Sequence, residues 1–88
     1  MAIAFILLNS ETGQGSKVEA ELKKIDEVKE VYAVYGVYDY LVKVETEDIY
    51  ALKRVISGRI RKIDYIASTL TLITNESTTS YIFEDIDL

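Results

Sequence analysis

The chain has 88 residues, of which 10 are basic and 15 acidic, and its formal net charge is −5. It contains no cysteine and no histidine, which excludes disulfides and thiolate metal sites and removes the commonest general base near neutral pH. Because an acidic domain is repelled by phosphate backbones, we expect no direct contact with nucleic acid, and no residue pattern indicates a cofactor.

A chain of this length forms one small domain, which buries only roughly 60–65% of the surface that it exposes when unfolded. Since 49% of the residues are hydrophobic, apolar surface remains for self-association. The apolar run at residues 1–8 has no basic flank and is too short for a signal peptide or a membrane span. The sequence therefore predicts a cytoplasmic protein without membrane contact.

The first half of the chain is predicted to begin with a strand and a helix. Residues 2–9 have apolar side chains at both the odd and the even positions, which would face opposite sides of a sheet. This pattern favours a strand at the centre of the sheet. Residues 11–15 are interpreted as a polar connector with two glycines. Ser16 is the expected helix cap, with Glu19 completing a capping box, and the apolar stripe along this helix consists of Val18, Leu22 and Ile25.

A hairpin follows, in which two β-rich runs at about 28–35 and 38–45 flank Gly36. Gly36 can adopt a positive φ and serve as the pivot of a tight turn. Asp39 is the only charged side chain among residues 32–42. It can be a turn residue that hydrogen-bonds its own backbone, or it can mark a small polar site beside the hairpin. The spacing alone favours the first interpretation.

The second helix is expected to be capped by Thr46 and to bury a stripe that includes Ile49, Leu52 and Ile60. Gly58 indicates either a close backbone approach or the end of this helix. The cations Arg59, Arg61 and Lys62 are interpreted as complementing the negative end of the helix dipole.

A last strand is predicted at residues 68–74, where Leu70 and Leu72 alternate with Thr69, Thr71 and Ile73. Residues 76–88 start with a polar linker and contain five large apolar side chains, which favours a fifth strand or an arm across a neighbouring subunit. The chain is thereby divided into a domain at residues 1–75 and a C-terminal extension at residues 76–88.

The order β-α-β-β-α-β predicts an α+β, ferredoxin-like plait, in which a four-stranded antiparallel sheet carries both helices on one face. The other face is left open, and we expect it to carry Leu41 and Ile73 beside Lys43, Thr69 and Thr71. A second copy related by a two-fold axis normally covers such a face, so a homodimer is expected. A higher oligomer of dimers requires further contacts that the sequence does not specify.

Residues 35–39 read Tyr-Gly-Val-Tyr-Asp, and residues 68–73 read Ser-Thr-Leu-Thr-Leu-Ile. Together with the opening strand and residues 28–34, these motifs resemble the effector-binding domain of the Lrp/AsnC family. These proteins are the leucine-responsive or feast/famine regulators, and the domain is also called RAM. The resemblance covers residues 1–74. Family regulators carry an N-terminal helix-turn-helix domain, whereas this sequence begins at the plait, so it resembles a stand-alone RAM module with an unexplained extension.

The resemblance implies a non-enzymatic module, without catalytic residues, that binds small effectors, usually amino acids, at interfaces between dimers. A full-length Lrp/AsnC regulator is an implied partner. In that scheme Asp39 binds the ammonium group of the amino acid, while hydroxyls and backbone N–H groups bind its carboxylate. A tyrosine forms one side of the pocket for the amino acid's side chain. By position, the resemblance nominates seven ligand-binding residues: Tyr35, Gly36, Tyr38, Asp39, Ser68, Thr69 and Thr71.

Two other functions remain open at this point. Ferredoxin-like dimers also include cofactor-independent enzymes, and Asp39 with Tyr38 or Tyr40 offers groups for acid–base chemistry. Alternatively, the chain is a purely structural assembly module in which Asp39 is a turn residue and the extension is an oligomer arm. Binding of a small molecule distinguishes the effector-binding module from this structural one.

Overall fold

The computed structural model describes residues 1–74 and the backbone of residues 83–85. None of the helices within these residues is long and apolar enough to cross a membrane. The elements follow one another in the described part of the chain as β1 (Ala2–Ser10), α1 (Gly15–Lys23), β2 (Val28–Ala33), β3 (Tyr40–Thr46), α2 (Ile49–Gly58), a short 3-10 helix (Ile60–Lys62), β4 (Ile66–Thr74) and β5 (Phe83–Asp85).

The strands form one antiparallel sheet with the order β2-β3-β1-β4-β5. β1 lies at the centre, as its two apolar sets predicted, and the ferredoxin-like βαββαβ plait is confirmed. β5 pairs with β4 through Asp85 opposite Leu72. The extension therefore contributes a fifth strand to its own sheet at residues 83–85, while its predicted polar linker, residues 76–80, lies outside the described residues.

The core lies between the helices and one face of the sheet. Alternate residues of β1 and β3 are fully buried there, and each helix contributes residues spaced three or four apart, which lie on one side of a helix. The predicted stripe residues Val18, Leu22 and Leu52 are confirmed as buried on their helices. Ile25 and Ile60 are also buried, but they lie just beyond the ends of α1 and α2, and Ile49 at the start of α2 is 41% exposed. The fully buried side chains are Ala4, Ile6, Leu8, Val18, Leu22, Val42, Val44, Leu52, Ile56 and Ile60.

The opposite face of the sheet, called the open face below, carries the other set of side chains from each strand. Leu7 on β1 lies between Leu41 on β3 and Leu70 on β4, and these leucines are half-buried. Lys43 lies on the same face, opposite Phe5. The placement of Leu41 and Lys43 on this face is confirmed. The open face is therefore apolar along its middle row.

The prediction that Ile73, Thr69 and Thr71 of β4 lie on the open face was wrong. Ile73, Thr71 and Thr69 pair with Ala4, Ile6 and Leu8, and their side chains therefore point to the helices. Ile73 and Thr71 are only 5% and 4% exposed. Leu70 and Leu72 occupy the open face instead. Because side chains alternate along a strand, the pairing register with β1 decides which set is buried, and both sets of β4 contain apolar residues.

Both predicted helix caps were also wrong. α1 has Gln14 at its N-cap position without a side-chain hydrogen bond, and Ser16 lies inside the helix. α2 is capped by Asp48, whose carboxylate accepts a hydrogen bond from the Ala51 N–H at 2.8 Å. Thr46 ends β3, and its hydroxyl donates to the Asp48 carbonyl oxygen at 2.7 Å. α2 ends at Gly58, which was one of the two interpretations of this glycine.

The hairpin strands are shorter than predicted. β2 ends at Ala33 and β3 begins at Tyr40, so residues 34–39 form a loop rather than a tight turn. Gly36 has a φ of +135°, which confirms the positive φ expected of this glycine, although it lies in a six-residue loop and is not the pivot of a tight turn. The Val34 N–H closes the loop by donating to the Asp39 carbonyl oxygen at 2.9 Å. Asp39 is thereby held at the start of β3.

Candidate functional site

Asp39 joins the hairpin to the end of the central strand. Its carboxylate oxygen Oδ2 accepts a hydrogen bond from the Ser10 N–H at 3.0 Å and a longer one from the Ser10 hydroxyl at 3.4 Å. Its own N–H donates to the Leu8 carbonyl oxygen at 3.0 Å. The carboxylate therefore contacts β1 and not its own turn, which contradicts the interpretation of Asp39 as a turn residue that hydrogen-bonds its own backbone.

The carboxylate of Asp39 also keeps capacity for another partner. Within residues 1–74 its second oxygen, Oδ1, accepts no hydrogen bond, and no lysine or arginine forms an ion pair with it. The side chain borders an open cavity of about 410 Å³. A carboxylate oxygen of this kind is a natural acceptor for a cationic group. The cavity is lined by Ser10, Glu11, Thr12, Gly13, Gly15, Ala33, Asp39 and Tyr40.

The N-terminus of α1 borders the same cavity through Gly15. Because no side chain caps this helix, its first N–H groups have no side-chain acceptor. A Cβ atom at Gly15 would lie only 3.0 Å from the Tyr40 hydroxyl, so glycine allows this close approach. N–H groups at a helix start favour a negatively charged group. The cavity thus has an acceptor for a cation on one side and donors for an anion on another.

Tyr40 contributes a hydroxyl group to this cavity. Burial raises the pKa of the Tyr40 phenol, and the nearby carboxylates of Glu19 and Asp39 raise that pKa further. The phenol therefore stays protonated across the neutral range and can donate a hydrogen bond. No three Asp or Glu side chains gather closely enough in residues 1–74 to hold a metal ion.

The structure places the other predicted hairpin residues outside this cavity. Tyr35 is fully exposed at the tip of the loop beside Gly36. Tyr38 is half-buried, and it does not line the cavity. Of the four hairpin candidates, only Asp39 meets the cavity in the same chain.

The three hydroxyl residues of β4 are divided between the two faces of the sheet. Ser68 lies on the open face, where it pairs with Asn9 and its hydroxyl accepts from the Asn9 amide at 3.2 Å. Thr69 and Thr71 face the helices, and Thr71 is buried. β1 separates β3 from β4, so the strands that carry Tyr40 and Ser68 are roughly 10 Å apart. Asp39 and Ser68 therefore share one end of the sheet without sharing a pocket.

Ser10, Thr12, Gly13 and Gly15 line the cavity, although they were assigned no function from the sequence. One feature of the sequence could have indicated them: the polar residues Asn9 and Ser10 end an apolar strand just before a loop with two glycines. Loops at strand ends frequently carry binding residues. Ser10 contacts the Asp39 carboxylate although the two residues are 29 positions apart in the chain. Only the pairing of β1 with β3 brings them together.

A polar cluster lies on the open face where β2 meets β3. The Tyr32 hydroxyl donates to the Glu30 carboxylate, and the Lys43 ammonium lies 3.4 Å from the same carboxylate. The hydrogen bond from Tyr32, followed by the contacts with Lys43, lowers the pKa of Glu30, and the same hydrogen bond raises the pKa of Tyr32. This cluster forms a charged rim beside the apolar row of Leu41, Leu7 and Leu70.

In the Tyr32→Phe variant we expect the pKa of Glu30 to rise toward the ordinary glutamate value of about 4.3, because its largest stabilising contact is removed. NMR titration of the side-chain carboxyl measures it. In the wild type, the contacts of ionised Glu30 stabilise the fold at pH values above the ordinary glutamate pKa. This contribution is lost as the pH falls through the lowered pKa of Glu30. Tyr50→Phe is the matched control, and an unchanged Glu30 pKa in Tyr32→Phe would contradict the assigned hydrogen bond.

The chain thus combines a ferredoxin-like plait with a polar cavity at one end of its sheet. The sequence profile of the Lrp/AsnC ligand binding domain matches residues 3–81, and this chain therefore belongs to the Lrp/AsnC family. The structure of the hypothetical protein PHS023 from Pyrococcus horikoshii is similar, with 39% identity and a TM-score of 0.80. The match covers 91% of this chain and 99% of that one.

Larger regulators contain the same domain. The structure of AsnC from Escherichia coli matches with 33% identity and a TM-score of 0.77, covering 90% of this chain and 55% of AsnC. The proline dehydrogenase transcriptional activator of Rhizobium radiobacter is 36% identical over 56 residues, which are 64% of this chain. This chain spans 36% of that activator, and the curated relatives are transcriptional regulators.

Proposed function

We propose that this chain is a non-enzymatic effector-binding module that self-associates through the open face and holds a free amino acid beside Asp39. The observation that carries this proposal is the cavity at Asp39. It combines a carboxylate oxygen without a partner among the described residues and the uncapped start of α1. Membership of a ligand-binding family supports a binding function for this cavity.

A free amino acid matches the two ends of the cavity. Its ammonium group would donate to Asp39, and its carboxylate would accept from the first N–H groups of α1. Hydrogen bonds to charged groups contribute about 1.5–3 kcal/mol each, so these two contacts together give about 3–6 kcal/mol. Since binding also costs the effector its translational and rotational freedom, these two contacts alone give a dissociation constant no tighter than roughly tens of micromolar. Tighter binding therefore requires a second wall around the effector.

A neighbouring copy would supply this second wall. Tyr35 and Val37 are exposed at the tip of the hairpin, where they can reach another molecule. Ser68 does not line the cavity of its own chain, so we assign it to contacts with an effector bound in a neighbouring copy. Thr69 faces the helices, so its hydroxyl would support the strand and not contact that effector. Thr71 would support the strand from the core without touching the effector.

Self-association would bury the open face. Leu7, Leu41 and Leu70 are half-buried there without a helix over them, and an apolar patch with a polar rim is typical of a protein–protein interface. A second copy is the first expected partner. A full-length Lrp/AsnC regulator would present a related surface, and through it this module would modulate transcription.

The proposal is tested by calorimetric titration of the purified chain with each of the twenty amino acids. We expect at least one of them to bind, and we expect the Asp39→Asn variant to bind it roughly tenfold to a hundredfold more weakly, because one charge-assisted hydrogen bond is lost. Asp26→Asn is the matched control, since Asp26 is exposed and lies outside the cavity.

Two outcomes would count against the proposal. If the assembled chain binds none of the amino acids, it is a structural assembly module. If an amino acid binds but Asp39→Asn leaves its affinity unchanged, the effector site lies elsewhere in the molecule. Sedimentation of each variant shows whether the assembly is intact when binding is measured.

A further inference from the structure

A second cavity lies on the helical side of the molecule, and it shares no lining residue with the cavity beside Asp39. It has a volume of about 690 Å³ and runs between α1 and the segment that follows α2. Ala20, Ile25 and Ile63 form its apolar walls. Gly58 lies on its border, and nothing approaches within 4 Å of the position that a Cβ atom would take there. The groove is therefore roomy enough for a small organic molecule.

The groove is rich in cations, although the chain as a whole is acidic. Lys17, Lys24, Arg59 and Lys62 line it, against the two acidic side chains Glu21 and Asp64. Glu21 pairs with Lys24 at 2.9 Å. Arg59 and Lys62 form no ion pair within the described part of the chain. Two cations with no carboxylate partner there thus face one open groove.

The helix dipole does not account for this arrangement. The C-terminus of a helix carries an effective charge of only about −0.5, and its influence falls off within the last turn. Arg59 directly follows the last residue of α2, whereas Lys62 ends the 3-10 helix beyond it. The dipole therefore balances part of the charge of Arg59 and leaves Lys62 uncompensated. An anion bound in the groove would balance both.

Tyr65 provides an aromatic surface at the same groove. Tyr65 is 41% exposed, and the Lys17 ammonium lies 5.4 Å from the centroid of its ring. Its φ of +73° is unfavourable for a residue with a Cβ atom, and Tyr65 is the only non-glycine residue with a positive φ within the described residues. Its carbonyl oxygen accepts from the Glu11 N–H at 2.7 Å, which holds this backbone in place. Such conformations concentrate at binding sites.

We propose that this groove binds a nucleoside phosphate. Arg59 and Lys62 would contact the phosphate oxygens, since guanidinium and ammonium groups are the usual phosphate partners in proteins. The base would stack on the exposed Tyr65 ring, as bases stack on aromatic side chains elsewhere. A groove with apolar walls, one aromatic ring and two such cations fits a compact aromatic anion better than an extended acidic peptide.

The test is equilibrium dialysis of the full chain against AMP, ADP and ATP, with adenosine and inorganic phosphate as separate probes. We expect a nucleotide to bind more tightly than either probe, and we expect its affinity to fall with added salt. Arg59→Ala and Lys62→Ala should each weaken binding about tenfold or more. Lys53→Ala is the matched control, because Lys53 is exposed on α2 and does not line the groove.

Tyr65→Gly tests the stacking surface without straining the backbone, because glycine adopts a positive φ readily. This variant should weaken nucleotide binding and leave the binding of inorganic phosphate unchanged. The proposal is overturned if inorganic phosphate binds as tightly as ADP. It is also overturned if the Arg59 and Lys62 variants bind like the wild type, or if an oligoglutamate peptide binds and nucleotides do not. Amino-acid binding at Asp39 is a separate measurement, so the two sites can fail independently.

Discussion

The Leu7→Lys variant is expected to sediment as a monomer under conditions in which the wild-type chain forms dimers or larger assemblies. Leu7 is the middle residue of the apolar row on the open face, with Leu41 and Leu70 on either side. In a two-fold interface the same substitution occurs on both subunits, so its effect is counted twice. Full burial of an exposed leucine contributes about 1.5–3 kcal/mol, and Leu7 is already half-buried in the single chain, so the interface gains about half of this on each subunit, or about 1.5–3 kcal/mol for the pair.

This free energy corresponds to at least roughly a tenfold increase in the dissociation constant of the dimer. The fold itself should survive, since the half-buried lysine can extend its ammonium group into solvent. Tyr50→Lys is the matched control, because Tyr50 is 71% exposed on α2, on the opposite side of the sheet. Analytical ultracentrifugation with circular dichroism checks both points. An unchanged sedimentation coefficient for Leu7→Lys would show that the open face is not the interface.

The Ile6→Ala variant should instead lose a large part of its folding stability. Ile6 is fully buried against the helices, and it pairs with Val42 and Thr71 on the neighbouring strands. Truncating a buried isoleucine to alanine costs about 2–5 kcal/mol, which includes the cavity left behind. Since a chain of this size is stable by only about 4–13 kcal/mol, we expect the midpoint of thermal unfolding to fall by roughly 10 °C or more.

Ile49→Ala is the control for this experiment, because it makes the same chemical change at a position that is 41% exposed. Its effect should stay within about 1 kcal/mol. Unfolding is followed by circular dichroism at one fixed protein concentration, since the proposed self-association would itself stabilise the folded chain. Equal losses in the two variants would contradict the assignment of Ile6 to the helix-covered core. Adjacent residues of β1 are thus expected to control different properties, stability at Ile6 and assembly at Leu7.

The sequence predicted most of the fold because its apolar periodicity is strong. The two apolar sets of β1 indicated a central strand, and the stripe through Val18 and Leu22 indicated a helix that packs on one sheet face. Gly36 and Asp39 were recognised as a turn and a possible polar site from their isolation in a β-rich stretch. The short distance between Asp39 and Ser10 could not be predicted, because it depends on the pairing of distant strands.

The sequence by itself determined the order of the elements, the plait and a surplus of apolar surface, since these follow from local periodicity and composition. The tertiary structure decided which set of β4 side chains is buried, because that depends on the register between Ile73 and Ala4. It also decided that Asp48 rather than Thr46 caps α2, since the cap requires the extended backbone found at Asp48. In the same way, the groove at Tyr65 exists only because α1 lies beside the segment that follows α2, where cations distant in sequence come together.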